Sequence, residues 1–400
     1  MTFQIIDDKQ DCKSIFYNNE IIEKPSYDNL GATWSYHDSL ISYGIEFAEL
    51  YAKGQSITEC CPSYLRSEWE SLRKKHLAFI KTFETAQVKA TDYCFYDLVP
   101  EDFLINYFKI KTEITDYVLQ NYPKPTNYQF LVDLKRLLSK ISKQALIVNN
   151  SKLTLDMHSY KARRFQEKIT RTKPNIKYNL FGTITGRLTT QKKSFPILTM
   201  DKSYRKIVEP QNDFYIELDF NAAELRCLLA LNAVPQPNID IHKWHEELIL
   251  SNTGLALDRE EIKRKVFSWL YGPLDASLGI PQIEKYYNKR SILDKYWNGH
   301  EATNIYGRTV KADEFHALNA VIQSTTSDTF LRRAIAVDKM LEGRKSFTMG
   351  LIHDSIVIDF DRNDKDILEN LIIEFGNTDL GVFKVNASLG VDFGNMKRFR

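Results

Sequence analysis

The sequence predicts an α+β protein, and three stretches carry that prediction. "FYIELDF" (214–220) is rich in branched and aromatic residues and reads as a strand running into the helix "AAELRCLLAL". "MGLIHDSIVIDF" (349–360) reads as two apolar strands about the polar centre His353-Asp354-Ser355, the shape of a hairpin. "YQFLVDLKRLLSKISKQALIV" (128–148) spaces its apolar residues by three and four, the period of a helix.

Taken in order, residues 1–90 read as short strands beginning with "FQII", followed by a helix through "SEWESLRKKHLAFIKTF", and hold no motif with recognisable chemistry. From 97 to 150 the pattern is helical. "PEDFLINYFKIKTEITDYVLQNY" is followed by the proline break "PKPTN" and then by the helix at 128, which predicts a projecting pair of helices. Beyond 150 strands and helices alternate, with no internal repeat and no low-complexity tract.

A chain of 400 residues can bury a large core and divide into two to four subdomains. With 43% hydrophobic and 26% charged residues it is not a disordered chain. The net charge of +2 conceals a segment, 161–193, with ten cations (Lys161, Arg163, Arg164, Lys168, Arg171, Lys173, Lys177, Arg187, Lys192 and Lys193) against the single acid Glu167. Such a segment is either a solvated basic face or a track for a phosphate backbone. The five cysteines, Cys12, Cys60, Cys61, Cys94 and Cys227, have no C-x-x-C spacing, so neither a disulfide framework nor a zinc site is expected, and a reducing, cytoplasmic setting is. No basic-then-apolar leader and no 18-residue apolar run occurs, so neither secretion nor a membrane span is expected.

The stretch "REEIKRKVFSWLYG" (259–272) places Arg259, Lys263, Phe267 and Tyr271 on one broad helical face. Cations in a first turn oppose the helix dipole, so an anion is expected opposite Arg259 and Lys263, while the two rings could stack on a flat group. A triphosphate at one end and a base at the other fit this face. The plainer reading is an amphipathic helix whose Phe and Tyr belong to the core. This pattern, R-x-x-x-K-x-x-x-F-x-x-x-Y-G, resembles the nucleotide-binding fingers helix of family A DNA polymerases, the bacterial polymerase I type. Further segments are similar to that family in the same order: "TITGRLTT" (183–190), "LDFNAAELR" (218–226), "DIH" (240–242), "NAVIQ" (319–323), "LIHDS" (351–355) and the ending "VDFGNMKRF".

The resemblance implies a right-hand polymerase fold. It would comprise an N-terminal region of unknown role (1–90), a thumb-like helical region (91–180), a first palm part (181–244), fingers (245–315) and a second palm part (316–400). The function implied is addition of dNTPs to a primer 3′-OH on a DNA template. Asp219 and Asp354, with the backbone carbonyl of Phe220, would hold two Mg²⁺ ions, for which Mn²⁺ could substitute. Arg259, Lys263 and His242 would hold the triphosphate, with Lys263 also donating a proton to the leaving pyrophosphate. Phe267 and Tyr271 would pack on the nascent pair, and Glu224 would exclude a ribose 2′-hydroxyl, although Asn221-x-x-Glu224 also reads as a capping box. Arg187, Asn319, Gln323 and His353 would touch the duplex, and Lys192, Lys193, Arg163 and Arg164 its phosphates. Primer-template DNA and dNTPs are the implied partners, along with separate exonuclease, processivity or helicase-primase proteins.

Two residues depart from the family pattern. Ser355 stands where a Glu is usual, as in the related single-subunit RNA polymerases, and Phe315 stands where an Arg is expected. The first 90 residues are too few for the family's proofreading domain. Two alternatives stay open: an RNA-synthesising polymerase or primer synthase, and a catalytically silent nucleic-acid-binding subunit.

Overall fold

The protein is described from a computed structural model covering residues 1–6, 14–88, 93–156, 159–253, 258–273 and 277–400. The chain divides into two compact units, Met1–Arg136 and Leu137–Arg400.

The first unit opens with a small antiparallel sheet of β1 (Gln4–Ile5), β2 (Ser14–Tyr17) and β3 (Glu20–Glu23). Two long helices follow, α1 (Ser63–Thr85) and α2 (Glu101–Asn121), each preceded at its N-cap by a proline outside the helical conformation, Pro62 and Pro100 respectively, a residue with no N–H to leave unpaired. The apolar stripe of α2 is buried on α1: Tyr107 stacks on Trp69 with ring centroids 5.3 Å apart, and Phe103 meets Phe79 edge-on at 5.0 Å. Helix α2 is therefore embedded, which corrects the expectation that it projects as half of a hairpin. Its partner was concealed because α1 lies before it in the chain, not after the proline break. Cys94 is disulfide-bonded, which corrects the expectation of no disulfide, since pairing follows spatial approach and not sequence spacing. Cys60, Cys61 and Cys227 are free and buried, and Cys12 lies outside the described residues.

Helix α3 (Tyr128–Lys143) is shorter than its apolar period suggests. Residues 147–148 leave the helical path and pair antiparallel with Val208–Glu209, a long-range partner that periodicity cannot reveal. The basic helix α4 (Tyr160–Thr170) follows.

The second unit is built on a five-stranded antiparallel sheet. Its central strand is β4 (Phe214–Phe220), with β8 (Ser355–Phe360) and then β7 (Phe347–Ile352) on one side, and β9 (Val385–Gly390) and then β10 (Lys397–Arg398) on the other. All six residues of β8 are buried, as an apolar run covered on both faces requires. Helix α5 (Ala223–Leu231) leaves β4 after two residues, as the sequence predicts. Further helices are α6 (Ile241–Thr253), α7 (Arg259–Leu270), α8 (Lys289–Tyr296), the long α9 (Glu314–Met340) and α10 (Leu368–Gly376). One apolar cluster joins α5, α6, α7 and α9 through Leu228, Ile241, Ile262, Val266 and Val321. A hairpin of β5 (Glu301–Thr303) and β6 (Thr309–Lys311) precedes α9.

Candidate active site

Asp219 is the penultimate residue of the central strand, opposite Ser355 on β8 and Asn386 on β9. Strand alternation sends the next side chain, Phe220, into the core, where its ring stacks on Phe375 at 4.3 Å. Only the backbone carbonyl of Phe220 is thereby left to act as a ligand. Asp354 sits in the two-residue turn joining β7 to β8. That turn puts His353 in the left-handed region at φ 56°, where glycine is favoured. Ala222, three residues after Asp219, is also left-handed at φ 52°. Strained positions of this kind beside both carboxylates are typical of sites where surrounding structure over-determines the backbone.

Burial pushes Asp219 up to about 7; the Asn386 amide, 3.3 Å from Oδ2, pulls the other way, and the charges of Glu217 and Asp354 add to the rise. Asp354 is also raised by burial, tempered by the charge of Arg187. The donor set is all oxygen, which suits a hard cation such as Mg²⁺, and the mutual repulsion of the carboxylates gives a cation something to relieve. Among the described residues no group of three His, Cys, Asp or Glu side chains gathers as a closed metal cluster. A cation here would complete its shell with the Phe220 carbonyl, water and substrate oxygens, the habit of Mg²⁺.

Glu224, in the first turn of α5, is held at both oxygens: Arg187 donates to Oε1 and the Tyr271 hydroxyl to Oε2. Three separate sequence segments meet in this one carboxylate. The capping box is not formed. The residue before α5 is the left-handed Ala222, without a side-chain cap. Asn221 is engaged elsewhere: its amide donates to Asp240 at 2.7 Å, and its Oδ1 accepts from the Ile241 N–H at 3.0 Å and from Arg226 at 3.1 Å.

On α7 the core face is Ile262, Val266, Trp269 and Leu270, while Arg259, Lys263 and Phe267 are half-buried and Tyr271 is 37% exposed. Tyr271 thus lies off the core stripe, Phe267 packs at the edge of the core, and the two rings stack at 6.2 Å. The anion expected at the helix start exists, for Asp258 caps it, Glu260 and Glu261 occupy its first turn, and Asp240 Oδ2 accepts from Arg259 at 3.2 Å. Lys263 makes no ion pair among the described residues. His242 is 4% exposed, with its ring centroid 6.0 Å from that of Phe267, and burial holds its pKa down at about 4. Burial thus favours the neutral form of this ring, and the charges of Arg259 and Lys263 push the same way.

Arg187, His353 and Asp354 line one cleft of about 640 Å³ with Thr183 and Thr190. Asn319, Gln323, Tyr271 and Phe315 line a smaller cavity of about 170 Å³, and Asn319 Oδ1 is buried without a hydrogen-bond partner. Arg163, Arg164, Lys192 and Lys193 are exposed.

The sequence reading passed over Glu217, although a residue two before Asp219 on a strand must share its face. The Ser355 hydroxyl donates to Glu217 Oε1 at 2.9 Å, so a carboxylate stands beside the position where the usual acid is missing. It also passed over Arg308 and Asp328, which no local pattern marks.

No family model matches the chain, and no curated protein matches its sequence. Among solved structures the chain is similar to the POL domain of Pol1 from M. smegmatis, determined in complex with DNA primer-template and dNTP. The TM-score is 0.62 at 12% sequence identity, over 88% of this chain and 82% of that one. The fold is shared with a polymerase domain. No described helix is long and apolar enough to cross a membrane.

Proposed function

We propose that this chain is a template-dependent DNA polymerase of the family A type, adding dNTPs to a primer 3′-OH by two-metal phosphoryl transfer. The observation that carries the reading is the meeting of Arg187, Tyr271 and Glu224 beside Asp219 and Asp354. These five residues come from four motifs far apart in sequence, and their order and chemistry match one reaction. The fold shared with a POL domain supports it independently.

In this reading the sheet and its turn are the palm, the helix Arg259–Leu270 belongs to the fingers, and the helices between residues 91 and 180 form the thumb. Asp219, Asp354 and the Phe220 carbonyl would hold the Mg²⁺ ions, which would supply charge neutralisation for the triphosphate and a lowered pKa for the attacking hydroxyl. Arg259 and Lys263 take the triphosphate, and Lys263 donates the proton to the leaving pyrophosphate. Arg259 must first exchange its Asp240 partner for phosphate oxygens. His242, whose ring lies 6.0 Å from that of Phe267, is the third candidate for the triphosphate. Phe267 and Tyr271 pack against the sugar and nascent base pair, and Glu224, fixed at both oxygens, fills the space a 2′-hydroxyl would need. Arg187, Asn319, Gln323 and His353 touch the duplex, where minor-groove acceptors are common to all pairs and report geometry. The exposed cations of 161–193 follow the phosphate backbone. On this reading proofreading falls to a separate exonuclease.

Primer extension with dNTPs, with rNTPs and without metal separates this reading from the alternatives. An RNA-synthesising enzyme would use rNTPs as well as dNTPs, and a silent subunit would extend nothing.

A further inference from the structure

We infer that Arg308 is a positioning residue for Arg187, acting through Gly186. The inference rests on the proposed function for its activity readout, but its geometry stands alone. Asp328, on α9, is fully buried, and Arg308 holds it with a two-pronged pair: Nε lies 2.9 Å from Oδ2 and Nη2 lies 2.7 Å from Oδ1. The Asn304 amide adds a third donor to Asp328 at 2.8 Å, and Asn304 Oδ1 in turn accepts from the Arg308 N–H at 2.9 Å, so the whole turn between β5 and β6 is tied to this one carboxylate. A buried ion pair contributes little net stability over an apolar substitute, so its arrangement is better explained by what it orients.

The flat face of that guanidinium lies against Gly186. A Cβ built on Gly186 would come within 2.7 Å of Arg308 Cζ, and Gly186 has φ 83°, so only glycine lets the two approach. Gly186 closes a turn in which its N–H donates to Thr183 O at 3.3 Å and Thr183 Oγ1 donates to Arg187 O at 2.9 Å. The next side chain is Arg187, which reaches Glu224. Arg308 is thus a rigid plate behind the turn that aims Arg187. Lysine could keep the charge but not the plate.

The test is a double-mutant cycle between Arg187→Ala and Arg308→Ala, read by single-turnover dNTP insertion, with amide exchange in the Thr183–Arg187 turn as a readout independent of catalysis. Arg308→Ala should slow insertion about 10- to 100-fold, cost little more once Arg187 is already Ala, and speed exchange of the Gly186 amide while amides of β4 and β8 stay protected. Arg308→Lys should recover only part of the rate. Gly186→Ala, which pushes on the plate from the other side, should reproduce the loss, and it serves if Arg308→Ala fails to fold. Fully multiplicative losses in the double mutant, or an unchanged Gly186 amide in both Arg308→Lys and Gly186→Ala, would overturn the inference. If the wild type inserts no nucleotide, the proposed function fails while the exchange readout still decides the positioning role.

Discussion

Tyr271 and Glu224 share a hydrogen bond that joins the end of the helix Arg259–Leu270 to the start of α5, with Arg187 on the other carboxylate oxygen. Both carboxylate oxygens of Glu224 are thus engaged away from the helix start, and on the proposed function this side chain stands as a wall beside the sugar.

Truncating the wall should open space beside the sugar. Glu224→Ala is expected to raise rNTP insertion relative to dNTP by about 10- to 200-fold, the range for removing or adding a small group in a tight pocket. Matched single-nucleotide kinetics check it. Because the Glu224 side chain is largely buried and accepts from both Arg187 and Tyr271, the variant should lose about 1 to 3 kcal/mol of stability, the cost of leaving those donors without their acceptor.

Lys263 has no ion pair among the described residues, so its charge is free for the triphosphate. Lys263→Ala should lower the maximal insertion rate about 100-fold and weaken dNTP binding at the same time. A full rate at saturating dNTP would make Lys263 a surface cation only.

Asp240 gives a pH dependence with a definite sign. Burial would raise its pKa, but hydrogen bonds from Asn221, Arg259 and the Lys243 N–H outweigh it and hold the carboxyl below its ordinary value. A depressed folded pKa stabilises the fold above the unfolded value of about 3.9, and the contribution is lost as pH falls below that value. Asp240→Asn should therefore destabilise the protein by about 1 kcal/mol at pH 7, and the gap to wild type should close below pH about 4. Denaturant melts across that range measure it. A gap independent of pH would show that packing, not charge, is what Asp240 contributes.

Much of this arrangement was legible in the sequence because strong periods and local turns encode it. The strand "FYIELDF", the hairpin about His353-Asp354 and the helix Arg259–Leu270 all form where their patterns put them. What escaped was set by distant partners. Residues 147–148 look helical but find Val208–Glu209 as strand neighbours. Asn221 has the spacing of a capping residue, yet its amide is claimed by Asp240 and by Arg226, chemistry that the four-residue window around it does not contain. Arg308 and Asp328 lie 20 positions apart and carry no motif, so their link to Gly186 exists only in three dimensions. Ser355 read as a lost carboxylate because the compensating Glu217 sits on another strand.

The central claim is that Asp219 and Asp354 form the metal-binding centre of a DNA polymerase, and one measurement tests it most directly. Primed DNA is incubated with dNTPs and Mg²⁺ and resolved on a gel, using wild type, Asp219→Ala and Asp354→Ala, with primer-template affinity measured in parallel. The account predicts extension by the wild type alone and similar DNA affinity for all three, because the basic segment 161–193 is untouched. Extension by either variant at the wild-type rate, or no extension by a wild type that binds DNA, would contradict it.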